Sequence, residues 1–152
     1  YVAYWNSGAG GLAIYHISDP LNPVLEKNYV IPGENYATDV YVQDNYAYVA
    51  DELAGLKIID VTDPSNPYLV STFPTTGSAV GVYVSGDYAF IAEQQYGFEV
   101  VDVHDPYNPL IRGSYVPDEI NPSIFATGIS VSGNHVILAF QDRGVQFFLH
   151  PW

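Results

Sequence analysis

The sequence predicts an all-β protein, a β-propeller built of four-stranded blades of about 42 to 47 residues. An apolar run followed by Asp-Pro and Asn-Pro recurs as GLAIYHISDPLNPVLE from Gly11, GLKIIDVTDPSNPYLV from Gly55 and GFEVVDVHDPYNPLIR from Gly97, with a shorter echo, GVQFFLHPW, from Gly144. These glycines are 44, 42 and 47 residues apart, a period typical of propeller blades. No segment carries apolar residues at the helical i, i+3, i+4, i+7 spacing, which disfavours helical repeats.

A complete unit contains four short segments rich in Val, Ile, Tyr and Phe, which predict strands. In the second unit they are 38–42, 46–50, 56–60 and 68–73. QDN, SGD and SGN join the first two strands and predict tight turns, because Asn, Asp and Gly tolerate positive φ. Short variable loops that end on a glycine join the second and third strands, which should pair antiparallel.

In the first three units the third and fourth strands are joined by an Asp-Pro-x-Asn-Pro corner. Asp19, Asp63 and Asp105 can accept backbone N–H groups ahead of them, and proline fixes φ. We therefore interpret these three aspartates as structural.

The chain divides into units of about 1–36, 37–78, 79–124 and 125–152, forming one propeller segment. The first unit begins on a second strand and the last ends on a third, so about fourteen strands form a partial ring of about four blades. Exposed strand edges tend to associate unless covered. We expect further blades of the same polypeptide or another subunit to cover them; closure by a second copy is the alternative.

Composition limits the classes of partner. Four Lys and Arg against seventeen Asp and Glu give a net charge of −13, which repels nucleic acid and anionic lipid. No apolar run is long enough for a membrane helix, and without cysteine the segment has no disulfide, thiolate zinc site or iron–sulfur ligand. The acidic, lysine-poor surface favours an extracellular or cell-surface location.

Alternating strand directions place the variable loops and the interblade links on one face, opposite the hairpin turns and Asp-Pro corners. This loop face combines aromatic rings with acids, as a surface that binds protein or carbohydrate does. Its candidate ligand-binding residues are Tyr4, Trp5, Asp51, Glu52, Glu93, Tyr96, Asp118, Glu119, Asp142 and Arg143.

The repeated motifs also resemble a known family. LKIID and FEVVD, each preceded by NYAYVAD or DYAFIAE, resemble the LVIVD repeat over nearly the whole chain. The resemblance implies a propeller of exported or cell-surface proteins, usually without an assigned reaction. His16 and Leu149 replace the final Asp of the motif, so no function that requires this Asp in every blade holds.

The predicted function is therefore a non-catalytic interaction or scaffold module that binds protein or carbohydrate. The alternative is a propeller hydrolase or lyase acting on a glycan with paired carboxylates near the central channel. No catalytic motif is present, and the four histidines occupy unrelated repeat positions. No cofactor is predicted; calcium among Asp118, Glu119 and a carbonyl is left open.

Overall fold

In the computed structural model, residues 1–6, 9–33, 36–116, 125–141 and 144–149 can be described; of residues 5, 6, 9 and 149 this holds for the backbone only. Within them the chain forms fourteen strands and no helix, in agreement with the predicted all-β class. Within each sheet, strands that follow one another in sequence pair antiparallel, and the four sheets have three or four strands each.

Sheet 1 contains β1 (Val2–Asn6), β2 (Ala9–His16) and β3 (Val24–Val30). Sheet 2 contains β4 (Ala37–Gln43), β5 (Tyr46–Asp51), β6 (Gly55–Asp60) and β7 (Tyr68–Phe73). Sheet 3 contains β8 (Ala79–Ser85), β9 (Tyr88–Glu93), β10 (Gly97–Asp102) and β11 (Leu110–Tyr115). Sheet 4 contains β12 (Ala126–Ser132), β13 (His135–Phe140) and β14 (Gly144–Leu149).

Local turn chemistry sets these strands in register. Asp44, Gly86 and Gly133 have φ of 53°, 56° and 54° in the hairpin turns, as the turn sequences predict. The predicted pairing of second with third strands is confirmed by β5 with β6, β9 with β10 and β13 with β14. Gly55 also requires glycine, because its φ is 83° and a Cβ there would collide with the carbonyl oxygen of Phe73.

The apolar core lies between successive sheets. Leu12 and Ile14 of sheet 1 pack with Val49 and Ile59 of sheet 2. Leu56 and Ile58, on the other face of sheet 2, pack with Ile91 and Val101 of sheet 3. A third cluster joins the opposite face of sheet 3 to sheet 4 through Phe90, Phe98, Val100, Val136, Leu138 and Phe140. Strand alternation therefore gives each internal sheet two buried faces.

The innermost strands of neighbouring sheets lie side by side, β4 against β8 and β8 against β12. The outermost strands are largely exposed: Leu110 and Ile111 of β11 are 55% and 52% accessible. Sheets 2 and 3 also have the same strand order, β4-β5-β6-β7 and β8-β9-β10-β11.

The Asp-Pro corners form the predicted turns. Asp63 accepts the backbone N–H of Ser65 on Oδ1 at 3.0 Å and the side-chain amide of Asn66 on Oδ2 at 2.7 Å. Asp19 and Asp105 make the same pair of bonds, to Leu21 and Asn22 and to Tyr107 and Asn108. The asparagine of the motif is thus a partner of its aspartate.

Candidate functional site

The variable loops and the links between sheets meet on one face, as predicted. The carbonyl oxygen of Glu52 accepts the N–H of Ala79 at 2.9 Å, and that of Gln94 accepts the N–H of Ala126 at 2.8 Å. The N–H of Gln94 in turn bonds the carbonyl oxygen of Ser78 at 3.0 Å. The loops after β5 and β9 are therefore each tied by backbone bonds to the chain that enters the next sheet.

A depression of about 300 Å³ opens on this face between sheets 2 and 3. The ring of Tyr96 supplies an aromatic wall, and Gln94 and Gln95 supply amides. The link contributes hydroxyl and backbone groups; the full lining is Leu53, Thr75, Thr76, Gly77, Ser78, Gln94, Gln95 and Tyr96. None of these side chains carries a charge, so the depression suits a neutral polar ligand.

Two of the predicted ligand-binding acids lie elsewhere. Asp51 and Glu93, at equivalent positions at the ends of β5 and β9, are each only 1% exposed. Their side chains lie between sheets: Glu93 lies beneath the link that enters its own sheet, and Asp51 lies beside the backbone of Tyr36, which precedes sheet 2. They are therefore not part of the accessible loop face on which the sequence pattern placed them.

Glu93 shares its buried position with Glu99 of β10, which is 3% exposed. Glu99 accepts the hydroxyl of Thr76 at 2.6 Å and its N–H at 3.3 Å, both on Oε1. Burial, and then the charge of Glu99, raise the pKa of Glu93 to about 7, although the backbone N–H groups of Gly77 and Thr76 oppose the shift. Glu93 therefore titrates near neutral pH.

The position beside Asp51 holds a cation, whereas the equivalent position beside Glu93 holds an acid. Lys57, equivalent to Glu99 and 7% exposed, acts on Asp51 electrostatically. Burial raises the pKa of Asp51, while Lys57 and the backbone of Tyr36 oppose the rise. Neither carboxylate oxygen of Asp51 makes a hydrogen bond of good geometry. The same place in successive sheets thus holds an opposite-charge pair and then a like-charge pair.

Of the other predicted ligand-binding residues, some have described side chains and some do not. Tyr4, Glu52 and Tyr96 are half-buried, and Tyr96 alone of these lines the depression. Trp5 belongs to β1, but its side chain lies outside the described part of the chain. Asp118, Glu119, Asp142 and Arg143 also lie outside the described residues, and so does the proposed calcium position.

The sequence pattern missed the buried partners Lys57 and Glu99. Each is the second residue of the apolar segment, LKIID or FEVVD, of a third strand. The available signal was this charged residue at the same position of two strands that are otherwise apolar up to their final Asp. The final Asp of the motif was also missed as a turn former. Asp60 accepts the N–H of Thr62 at 2.8 Å and the hydroxyl of Tyr68 at 3.0 Å.

The same position in sheet 3 repeats this arrangement. Asp102 accepts the N–H of His104 at 3.0 Å and pairs with the Arg112 side chain at 2.7 Å. The bond from Arg112, followed by the bond from His104, lowers the pKa of Asp102. The aspartate thus ties the end of the third strand to the outermost strand. All of these groups belong to the face opposite the depression.

Among the residues that the structure describes, no group of three or more His, Cys, Asp or Glu is arranged to hold a metal ion. The same residues include no helix of the length and apolarity needed to cross a bilayer.

A family model described as LVIVD repeat matches residues 1–30, 34–75 and 76–116, which contain every strand of the first three sheets. No curated protein matches the chain.

Two solved structures of computationally designed proteins are similar in fold. The Ika4 protein superposes with a TM-score of 0.63 at 12% identity, over 97% of this chain and 88% of that one. The Ika8 protein superposes with a TM-score of 0.61 at 11% identity, again over 97% of this chain. The chain spans only 45% of the length of Ika8. At these identities the similarity concerns the fold alone.

Proposed function

The chain belongs to the LVIVD repeat family, and from this premise we propose that it is a non-catalytic interaction module whose four sheets are consecutive blades of a β-propeller. Its loop face binds carbohydrate or protein. The observation that carries the proposal is the neutral depression between sheets 2 and 3, with the ring of Tyr96 beside two amides and three hydroxyl groups.

The chemistry of this lining favours a ligand rich in hydroxyl groups or uncharged amides. An aromatic ring offers a flat apolar surface for the face of a sugar ring or a peptide side chain. Amides and hydroxyls both donate and accept hydrogen bonds, so they orient a neutral polar ligand. Because the protein has a net charge of −13, a polyanionic ligand would be repelled.

The alternative function, glycan hydrolysis or lysis, requires two carboxylates that reach the substrate. The paired carboxylates of Glu93 and Glu99 are 1% and 3% exposed and lie beneath the link. Asp51 is similarly buried and faces a different sheet interface. This placement favours binding over catalysis.

The proposed partners also include the molecules that cover the exposed sheet faces. Val145 and Phe147 of β14 are 55% and 68% exposed. Their register equivalents in sheet 3, Phe98 and Val100, are buried against the next sheet at 8% and 3% exposure. We therefore propose that further blades of the same polypeptide, or another subunit, pack on β14.

We further propose an extracellular or cell-surface location, supported by the acidic, lysine-poor composition. Fractionation of the native host, with detection by an antibody against this chain, tests the location. Recovery from the cell surface or medium is the expected result, and exclusive recovery from the cytosol contradicts it.

Binding is tested by calorimetry with cellohexaose, chitohexaose and an extended uncharged peptide. Replacing Tyr96 by Ala should weaken binding about tenfold or more, because the stacking surface is lost. Tyr107→Ala is the matched control, since Tyr107 is 57% exposed on the opposite face. Binding that is insensitive to Tyr96→Ala, or that is lost equally in the control, contradicts the proposal.

A further inference from the structure

The buried pair Glu93 and Glu99 lies beneath the link of residues 74–78, which joins sheets 2 and 3. Glu93 is opposite Gly97 and Glu99 is opposite Ile91 in the β9–β10 ladder, so both side chains leave the same face. Residues related in this diagonal way lie within reach of each other when their side chains are long. The two carboxyl groups therefore share one enclosed space.

Hydrogen bonding in this space is incomplete. Thr76 of the link bonds Oε1 of Glu99 through its hydroxyl and its N–H. Oε1 of Glu93 and Oε2 of Glu99 are fully buried and have no partner. Two buried carboxylates that are both ionised repel each other and lack solvation, and a single proton relieves both penalties.

No cation among the described residues compensates the pair. The lining side chains of the link are uncharged, and on the same face β11 presents Ser114 opposite Glu99. Sheet 2 contributes the apolar residues Ala50 and Leu56 to this interface. Asp51 and Lys57 point from the opposite face of sheet 2, since strand alternation separates them from Ala50 and Leu56.

We propose that Glu93 holds a proton at neutral pH beside Glu99 and that this proton keeps the link 74–78 closed over the pair, which makes the link a pH-sensitive latch. The raised pKa of Glu93, about 7, agrees with this assignment. When the pH rises, the proton passes to water, and the repulsion of two buried charges is relieved by movement of the link.

The sign of the effect follows from proton linkage. The pKa of Glu93 is raised on folding, so between its ordinary value of 4.5 and about 7 the folded chain binds more protons than the unfolded one. The stability that the proton on Glu93 provides is fully present below the lower value and is lost as the pH rises through about 7.

The chain supplies its own comparisons at the equivalent positions. Glu93 pairs with Gly97, and in the same way Asp51 pairs with Gly55 and Phe140 with Gly144. The positions equivalent to Glu93 and Glu99 are therefore Asp51 and Lys57 in sheet 2, and Phe140 and Gln146 in sheet 4. The first pair is of opposite charge and the second is neutral. The like-charge pair is thus peculiar to sheet 3 within the described residues, and Glu99→Lys would recreate the pair of sheet 2.

The experiment measures thermal unfolding of the chain between about pH 5 and pH 8.5, together with amide-exchange protection of the link. We expect the melting temperature to fall by about 5 °C or more over this range. Protection factors at Thr76 and Gly77 should fall about tenfold or more, while the N–H of Ala79, bonded to Glu52, keeps its protection.

Glu99→Lys and Glu93→Gln should flatten the pH dependence of both readouts, since neither leaves two acids together. Glu26→Gln, on the exposed outer strand of sheet 1, should keep it. If Glu93→Gln does not fold, carboxyl-carbon NMR of the unmodified chain decides: one carboxyl titrating near pH 7 supports the proposal. Titration of the Glu93 carboxyl below about pH 5, or saturable calcium binding that protects the link, would overturn it.

The latch does not depend on ligand binding in the depression. Thr76 and Gly77 nevertheless line that depression, so a ligand held there should bind more weakly above about pH 8.

Discussion

The carboxylate Oδ2 of Asp39 accepts the backbone N–H of Val82 at 3.0 Å and so joins the innermost strand of sheet 2 to that of sheet 3. Its Oδ1 accepts the N–H of Val40 at 2.9 Å. Asp39 lies at a register irregularity of β4, and Gly81 lies at the same irregularity of β8. The Asp39 side chain joins sheet 2 to sheet 3. At the equivalent position of sheet 3, Gly81 has no side chain and its backbone lies close to that of Gly128 in sheet 4.

Replacing Asp39 by Ala should destabilise the chain. Val82 is 3% exposed, so its N–H would lose its partner where water has little access, at a cost of about 1 to 3 kcal/mol. Urea unfolding measures the loss. Asp87→Ala is the control, because Asp87 meets His104 only at 3.4 Å with both side chains exposed. Equal stability of the two variants would contradict the assigned bond.

Gly81 and Gly128 give a second, internally matched prediction. A Cβ on Gly81 would lie 3.2 Å from Cα of Gly128 and 3.3 Å from the N of Ile129, both backbone atoms. A Cβ on Gly128 meets nothing within 4 Å. Gly81→Ala should therefore cost about 1 to 3 kcal/mol in urea unfolding, whereas Gly128→Ala should be neutral or stabilise by up to about 1 kcal/mol. The reverse order would contradict the packing of β8 on β12.

The Asp-Pro corners should matter for stability and not for binding. Asp63→Ala and Asp105→Ala each remove two hydrogen bonds of the corner, so we expect melting temperatures about 2 to 4 °C lower. Affinity for a ligand in the depression should stay unchanged, because the corners lie on the opposite face. If either variant lost binding while its melting temperature was unchanged, the structural role would be wrong.

The same corners predict an acid dependence. The side chains of Asn66 and Asn108, followed by the backbone bonds, lower the pKa of Asp63 and Asp105. A lowered pKa contributes stability above its unfolded value, and this contribution is lost as the pH falls through the folded value. The difference in melting temperature between each variant and the unmodified chain should therefore shrink from pH 7 to about pH 2.5. A difference that grew on acidification would contradict this sign.

Local features were predictable from the sequence and non-local ones were not. The turn at Asp44 and the corner at Asp63 follow from residues within three positions of each other. The burial of Glu93 depends on a link about fifteen residues away in sequence that folds over it. An acid at the end of a strand resembles a solvated loop residue, so its charge indicated exposure.

The candidate site was predictable in outline only. Repeat phase and strand direction placed Tyr96 on the loop face, where it lines the depression. In FEVVD, Phe98 and Val100 face sheet 4, whereas Val101 faces sheet 2. Glu99 alternates with Phe98 and Val100, so it lies on the same face as Val101. Its burial could be predicted only if that face was known to be covered. Which face is covered depends on the packing of whole sheets, and periodicity within one strand does not contain that information.

The exposed face of β14 gives the prediction on assembly. Val145 and Phe147 are exposed at positions that are buried in the other three sheets, where Leu12, Leu56 and Phe98 match Val145. An uncovered aromatic strand face and edge favour association, so residues 1–152 expressed alone should self-associate in sedimentation velocity as concentration rises. Phe147→Glu should shift the chain toward monomer. Leu110→Glu, on the exposed outer strand β11 at 55% exposure, should leave association unchanged. A stable monomer over a wide concentration range would contradict association through β14 and would favour sheets 1 and 4 of one chain covering each other.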